Sequence, residues 1–136
     1  MKYWRIFIAG VVVTVFSTGV GMITCGWLFK WVYEIEPTNI WRAMDTIPAA
    51  YYPASLALNI VLAFVYALLV KGIPGKNKLT KGLVFGLCVW AVGALPAMLS
   101  TYMFMTVGLT IVIYWTITGL VFTPLMGLII AAIYGE

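Results

Sequence analysis

The sequence contains no histidine, two cysteines and few charged residues. Without histidine there is no bis-histidine haem site, no histidine-based zinc site and no histidine general base. Cys25 and Cys88 lie in different apolar runs at different expected depths, whereas the Cα atoms of a disulfide lie within about 7 Å of each other. We therefore expect both thiols to be unpaired.

Asp, Glu, Lys and Arg are also missing from the middle of every long apolar run. Such residues inside a membrane usually mark proton relays and ion-coupled sites. Their absence argues against a proton-coupled transporter, a pump, or acid–base catalysis within the bilayer. We therefore expect no catalytic residues and no cofactor.

The sequence is instead rich in apolar residues. Of its 136 residues, 64% are hydrophobic and 9% are charged, and the mean hydropathy is +1.07. A typical soluble domain has about 25% charged residues, and a small domain buries only about two-thirds of the surface that its unfolded chain exposes. The surroundings of this chain are therefore membrane lipids.

Four apolar runs approach or exceed the roughly 20 residues that a membrane-spanning helix needs. For the first run, a cleaved signal peptide is the alternative, but a secretory apolar region has only about 7–15 residues, which favours a membrane anchor. We predict an all-α, polytopic four-transmembrane-helix bundle that forms one membrane domain over residues 1–136. The predicted spans are 6–29, 54–70, 82–102 and 107–134.

The segments between the spans predict the orientation. The outer loop, 30–53, is rich in aromatic residues, and we expect a short interfacial helix over Asn39–Met44. The other loop, 71–81, is rich in lysine. The positive-inside rule places this loop and both termini in the cytoplasm, in a multi-pass protein of the cell membrane. That side carries Lys2, Arg5, Lys71, Lys76, Lys78 and Lys81, and the other carries Lys30 and Arg42.

The same distribution explains the net charge of +4. The cationic residues flank apolar runs and form no stripe of the kind that follows a phosphate backbone. We therefore expect no nucleic-acid partner.

Small residues recur in the spans at intervals of about one helical turn. Such residues let helix backbones approach closely in lipid. We interpret them as contacts within the bundle, and dimerisation or docking on a larger partner is the alternative. The residues are Gly119, Thr123, Gly127 and Ala131 in the fourth span, Gly82 and Gly86 in the third, and Gly21 in the first.

Prolines lie inside the third and fourth spans, at Pro96 and Pro124. Each removes a backbone donor and clashes with the carbonyl four residues earlier, so we expect each to kink its helix. The kinks either shape the bundle or provide a hinge.

Polar side chains within the spans define a candidate ligand site. Asn59 is the only carboxamide in a span, and we expect Cys25, Ser100 and Thr101 to lie near it, around a small cavity that opens outward. The alternative is a set of hydrogen bonds between helices, each contributing about 0.6–2 kcal/mol. Trp115 is deep in its span, where it lines either an aromatic pocket or the core.

A soft metal is a further alternative. Four methionines, Met22, Met98, Met103 and Met105, are expected near Cys25 on the outer side. Thioether and thiolate ligands suit Cu(I), but methionine also fills gaps in apolar packing. We therefore assign no metal site.

The layout resembles a bacterial family of small uncharacterised four-helix integral membrane proteins. The similar features are the aromatic exit from the first span, Gly26–Trp31, the stretch Leu58–Ala67, the glycine-rich opening Lys81–Gly86 and the small residues of the fourth span. The resemblance covers most of the chain. It implies a fold and a membrane location, and it implies no activity.

These observations favour a non-catalytic function. The first hypothesis is a small scaffold or accessory subunit that packs against other membrane helices, either of a second copy or of a larger membrane complex. The second is binding or transport of a small neutral or lipid-like molecule through an outward-facing cavity near Asn59. An enzyme is the third.

Overall fold

The computed structural model describes residues 1–135, apart from the side chain of Met44, and these residues form helices and loops without strands. The predicted domain end, residue 136, lies outside the described residues. Four helical segments are long and apolar enough to cross a membrane, which confirms the predicted all-α, four-span architecture. The helices are α1 (Tyr3–Ile23), α2 (Tyr51–Leu69), α3 (Lys78–Val89), α4 (Leu95–Phe104) and α5 (Leu109–Tyr134).

Two of these segments contain a π-helical turn. One, Thr24–Leu28, extends α1, and the other, Trp90–Ala94, joins α3 to α4 within the third span. In the second turn the Leu95 N–H donates to the Trp90 carbonyl five residues earlier. Pro96, which has no N–H, follows directly, so the π turn lies where the helix loses a backbone donor. By contrast, α5 continues as one helix through Pro124.

Three spans begin earlier than the hydropathy pattern indicates, and α1, which begins at Tyr3, is the first of them. α2 begins at Tyr51, with Pro53 in its first turn, where a missing N–H breaks no helical hydrogen bond. α3 begins at Lys78 because Asn77 caps it, with the Asn77 Oδ1 accepting from the Thr80 N–H at 2.8 Å.

The prediction of an interfacial helix over Asn39–Met44 is wrong. Beyond Glu34 the loop contains one short 3₁₀ turn, Met44–Thr46. A segment this short has little helical stability of its own. The chain instead turns earlier, where the Glu36 carboxylate accepts a hydrogen bond from the Thr38 N–H at 3.1 Å.

Both described ends of the chain lie at one end of the bundle, which we call the terminal end. There the Arg5 guanidinium donates to the Tyr134 carbonyl at 3.1 Å. The buried core lies toward this end, and the ring of Tyr66 meets the rings of Phe85 and Tyr134 edge-on at its centre. The core contains Ile6, Ala9, Val13, Ala63, Tyr66, Ala67, Val70, Phe85, Ile130, Ala131 and Tyr134.

The opposite end, which we call the loop end, is much less packed. No residue of α4 is buried, and none of residues 51–58 in α2 is buried. The bundle is therefore tight in its terminal half and more open in its loop-end half, where Val32, Ile111 and Val112 are nevertheless buried.

Glycines bring the helix backbones together in the terminal half. A Cβ on Gly10 of α1 would stand 2.8 Å from the Ile60 Cα of α2, and one on Gly82 of α3 would stand 2.5 Å from the Gly127 carbonyl oxygen of α5. Gly86 lies equally close to the backbone of Thr123 and Pro124. A real Cβ at these positions would force the helices apart.

Most of the small residues predicted to pack between helices lie in close helix contacts, and one of them does not. In α3 and α5, Gly82 and Gly86 face Thr123, Gly127 and Ala131, and Gly119 lies against the Trp90 ring. Gly21 differs, because nothing lies within 4 Å of the position that its Cβ would occupy. Gly21 lies in the more open half of the bundle and makes no close contact with another helix.

The contact at Gly10 gives a prediction about stability. Gly10→Ala forces the backbone of α2 away, and overpacking of this kind costs about 1–3 kcal/mol. Gly19→Ala is the matched control, since Gly19 is in the same helix with open space around it. The free energy of unfolding, measured by SDS titration from mild detergent, should fall for Gly10→Ala and stay unchanged or rise for Gly19→Ala. Equal effects of the two changes would contradict the close contact.

Candidate functional site

A cluster of aromatic residues around one thiol lies at the loop end. The π turn Thr24–Leu28 closes with a 2.8 Å hydrogen bond from the Phe29 N–H to the Thr24 carbonyl, and the chain then folds into a 3₁₀ helix, Lys30–Glu34. This helix carries Tyr33 back onto α5. The loop-end cluster contains Cys25, Phe29, Tyr33, Trp41, Tyr114 and Trp115.

Hydrogen bonds through the Tyr33 hydroxyl connect three elements. The Trp115 Nε1–H donates to this oxygen at 2.8 Å, and the hydroxyl donates to the Cys25 Sγ at 3.3 Å. The Tyr114 hydroxyl lies 3.9 Å from the same sulfur. Tyr33 therefore joins the end of α1 to the first turns of α5.

The environment of Tyr33 keeps its phenol neutral. Burial raises the pKa of Tyr33 well above its usual value, and the hydrogen bond to Cys25 raises it further. A neutral phenol retains the O–H that donates to Cys25, so the network is intact over the whole physiological pH range.

Ring contacts hold the loop against α5. The ring centroids of Tyr33 and Trp41 are 5.2 Å apart at 71°, and those of Trp41 and Trp115 are 5.8 Å apart at 80°. These are the edge-to-face arrangements that aromatic pairs prefer. The Trp41 Nε1 is buried without a hydrogen-bond partner, so ring packing is what fixes this side chain.

An apolar cleft of about 170 Å³ extends from the cluster between α1 and α5. The hydroxyls of Ser17, Thr24 and Thr118 donate to carbonyls of their own helices, and the Tyr114 hydroxyl lies beside the Cys25 sulfur. The walls therefore offer apolar contact. The lining residues are Phe16, Ser17, Val20, Gly21, Thr24, Cys25, Tyr114, Thr118, Phe122 and Met126.

The four residues predicted for the polar cavity, together with Trp115, lie in three places. Cys25 and Trp115 meet through Tyr33. Asn59 is buried between α1 and α2, away from the cleft, where its Nδ2 donates to the Thr14 Oγ1 at 3.0 Å. On α4, Ser100 is exposed, and the Thr101 hydroxyl donates to the Ala97 carbonyl at 2.8 Å.

Asn59 thus makes a contact between helices beside the Gly10 crossing. The Thr14 hydroxyl that accepts from it donates in turn to the Gly10 carbonyl at 2.8 Å. The arrangement corresponds to the alternative interpretation of Asn59, a bond that connects two spans.

The methionines expected near Cys25 point in several directions. Met22, Met103 and Met105 are exposed and Met98 is half-buried. The Cys25 sulfur faces the hydroxyls of Tyr33 and Tyr114. The soft-metal alternative gains no support from this arrangement.

Sequence reasoning missed the central residue of the cluster, Tyr33, together with Tyr114. The available signal was the density of aromatic residues in the loop 30–53. That density indicates an interfacial segment, but it does not reveal which ring folds back onto α5.

The four spans indicate a multi-pass membrane protein, and the cluster at its loop end is apolar and aromatic. No protein-family model, no curated protein and no solved structure matches the chain. The resemblance to the four-helix family of uncharacterised proteins therefore stays a prediction.

The neutral Tyr33 phenol gives a prediction about pH. The pKa of tyrosine is about 10 in an unfolded chain and higher in this fold. The stability that Tyr33 contributes is therefore fully present below pH of about 10 and is lost as the pH rises through the folded-state value. The measurement is the difference in unfolding free energy between wild type and Tyr33→Phe, from pH 8 to 11 in detergent.

We expect this difference to be constant up to pH of about 10 and to decline above it. Titrating lysines affect both proteins equally and cancel in the comparison. A decline centred well below pH 10 would show that the phenol is not in the environment described.

Proposed function

We propose that this chain is a non-catalytic accessory or scaffold subunit whose third span packs against a helix of another membrane protein. The supporting observation is the unpartnered loop-end half of that span. No residue of α4 is buried, Val92 in the preceding π turn is 79% exposed, and nothing lies within 4 Å of the position of a Cβ on Gly93. Another helix can approach the backbone closely there.

The backbone at this place also favours a partner with a hydrogen-bond donor. Pro96 has no N–H, so the turn before it contains one more carbonyl than it has backbone donors. A polar backbone group facing hydrocarbon without a partner costs several kcal/mol. A helix that presents a hydroxyl or a carboxamide at Val92–Gly93 removes this cost, and this chemistry describes the partner we propose.

The location in the membrane is part of the same proposal. The termini face the cytoplasm, in the cell membrane, because Lys2, Arg5 and the lysines of loop 71–81 lie on their side of the bundle. The unpartnered surface of α4 then lies in the leaflet farther from the cytoplasm.

Site-specific photocrosslinking in native membranes tests the proposed contact. A benzophenone side chain at Val92 should give one discrete protein adduct, and the same group at Val15, an exposed position of α1 that is 69% accessible, should give none. Leu99→Trp should abolish the adduct, because Leu99 is exposed and lies two helical turns from Val92 on the same helix face. Two differently tagged copies in one cell distinguish a second copy from another protein. Lipid adducts alone at both positions would contradict the proposal.

The cleft between α1 and α5 favours a second candidate function, retention of a small neutral or lipid-like molecule. Its walls are mostly apolar, and the hydroxyls of Thr24 and Thr118 donate within their own helices. Such a space in a membrane is filled by an apolar chain rather than by water, because water has too few polar partners there. In this form the candidate depends on Cys25 and Gly21, which line the cleft, and not on Asn59.

Filling the cleft tests this second candidate. Gly21→Leu places a side chain in the cleft, and Gly19→Leu places the same side chain two residues away, outside the cleft lining. Native mass spectrometry from nanodiscs should show a retained apolar molecule with wild type and Gly19→Leu and a loss of most of it with Gly21→Leu. Equal retention by both variants would remove the cleft as the binding site.

A further inference from the structure

The cleft between α1 and α5 has different chemistry at its two ends. The two helices run in opposite directions, so Phe16 of α1 and Met126 of α5 lie toward its terminal end, whereas Cys25 and Tyr114 meet at its loop end. Along α5 the lining extends from Tyr114 to Met126, about 18 Å at 1.5 Å per residue. The cleft therefore follows the spans for about three helical turns, with its polar side chains at the loop end.

The middle of the cleft contains open space. Nothing lies within 4 Å of the position that a Cβ on Gly21 would occupy, and the volume of the whole cleft is about 170 Å³. The hydroxyls of Ser17 and Thr118, which line the same part, already donate to carbonyls of their own helices. This part of the cleft therefore suits an alkyl chain.

The loop end of the cleft offers a hydroxyl group to an occupant. The Tyr114 hydroxyl is next to Thr24 and lies 3.9 Å from the Cys25 sulfur, which is a weak hydrogen-bond partner. The same sulfur already accepts from the Tyr33 hydroxyl at 3.3 Å. Because a hydroxyl has two acceptor lone pairs besides its donor, the Tyr114 oxygen retains capacity for one more polar group.

Tyr33 limits the size of that polar group. Its hydroxyl contacts the Cys25 sulfur, and its ring centroid lies 6.2 Å from that of Tyr114, so Tyr33 covers the polar end of the cleft from the loop. Among the described residues that line the cleft there is no Lys, Arg, Asp or Glu, and a buried charge without a partner is unfavourable. A small uncharged head fits these surroundings better than a phosphate or a carboxylate.

We propose that the cleft binds a neutral single-chain alcohol, with its hydroxyl at Cys25 and Tyr114 and its alkyl chain directed toward Met126. This inference rests on the second candidate function, retention of a small neutral or lipid-like molecule, and names the chemical class of that molecule. The chain exchanges one apolar environment for another when it leaves the bilayer, which contributes little preference. The hydrogen bond of the head therefore provides the selectivity.

Equilibrium binding of tritiated octanol to the full chain in detergent, read by scintillation proximity, tests the proposal. The competitors are unlabelled octanol and octane, which have the same chain and differ in the hydroxyl. Tyr114→Phe keeps the ring contacts with Phe29 and Tyr33 and removes the Tyr114 hydroxyl. The preference for octanol over octane should fall about fivefold, from the loss of one neutral hydrogen bond.

Tyr102→Phe is the matched control, because Tyr102 is an exposed tyrosine of α4 outside the cleft lining. It should leave the preference at the wild-type value. Partition of the competitors into micelles is the same for every variant and cancels in this comparison. In wild type, after correction for that partition, octanol should compete more strongly than octane, and this comparison needs no variant.

Gly21→Leu separates the inference from the function on which it rests. Its side chain fills the cleft, so saturable octanol binding should be lost. Unchanged binding in Gly21→Leu would remove the cleft as a binding site, and the candidate function with it. Lost binding in Gly21→Leu together with an unchanged preference in Tyr114→Phe would keep the cleft but overturn the assignment of the alcohol head. Stronger competition by octanoate than by octanol would overturn the neutral class.

Discussion

The structure depends on the close approach of helix backbones at glycine. In lipid the hydrophobic effect does not hold helices together, so association relies on van der Waals contact, which needs backbones that can approach. Gly10 lets α2 lie against α1, and Gly82, Gly86 and Gly127 let α3 lie against α5. All four are in the terminal half. The core around Tyr66 and the positions of the helix ends follow from these contacts, and the loop-end half is open because nothing equivalent exists there.

Most threonine hydroxyls of the spans form hydrogen bonds within their own helix. The hydroxyls of Thr14, Thr24, Thr101, Thr116 and Thr118 donate to carbonyls of their own helices. Side-chain bonds that connect different elements include Asn59 to Thr14, Trp90 to the Thr116 carbonyl, and Trp115 to Tyr33 and Tyr33 to Cys25. The polar side chains of the spans therefore act mainly within single helices and at these few crossings.

The four spans are predictable from the sequence because hydrocarbon demands long apolar helices, and this demand acts on every residue of a span. The contact of Gly82 and Gly86 with α5 follows from spacing, since residues four apart share a helix face. Spacing does not predict which helix faces meet. Gly21 has similar spacing, but it makes no close contact with another helix. The role of Tyr33 depends on a loop that folds back through ring packing and on a π turn beyond α1, neither of which has a periodic signal. The early start of α3 depends on a single cap, Asn77.

The unequal lengths of the spans have a consequence for the whole bundle. At 1.5 Å per residue, the 26 residues of α5 extend about 39 Å and the 19 residues of α2 about 29 Å, while the hydrocarbon layer is about 30 Å thick. α2 matches that thickness nearly upright, whereas α5 tilts or extends past the hydrocarbon. Since α3 meets α5 at Gly82 and Gly86, near the terminal end, any tilt of α5 displaces its loop end from α3 more than its terminal end.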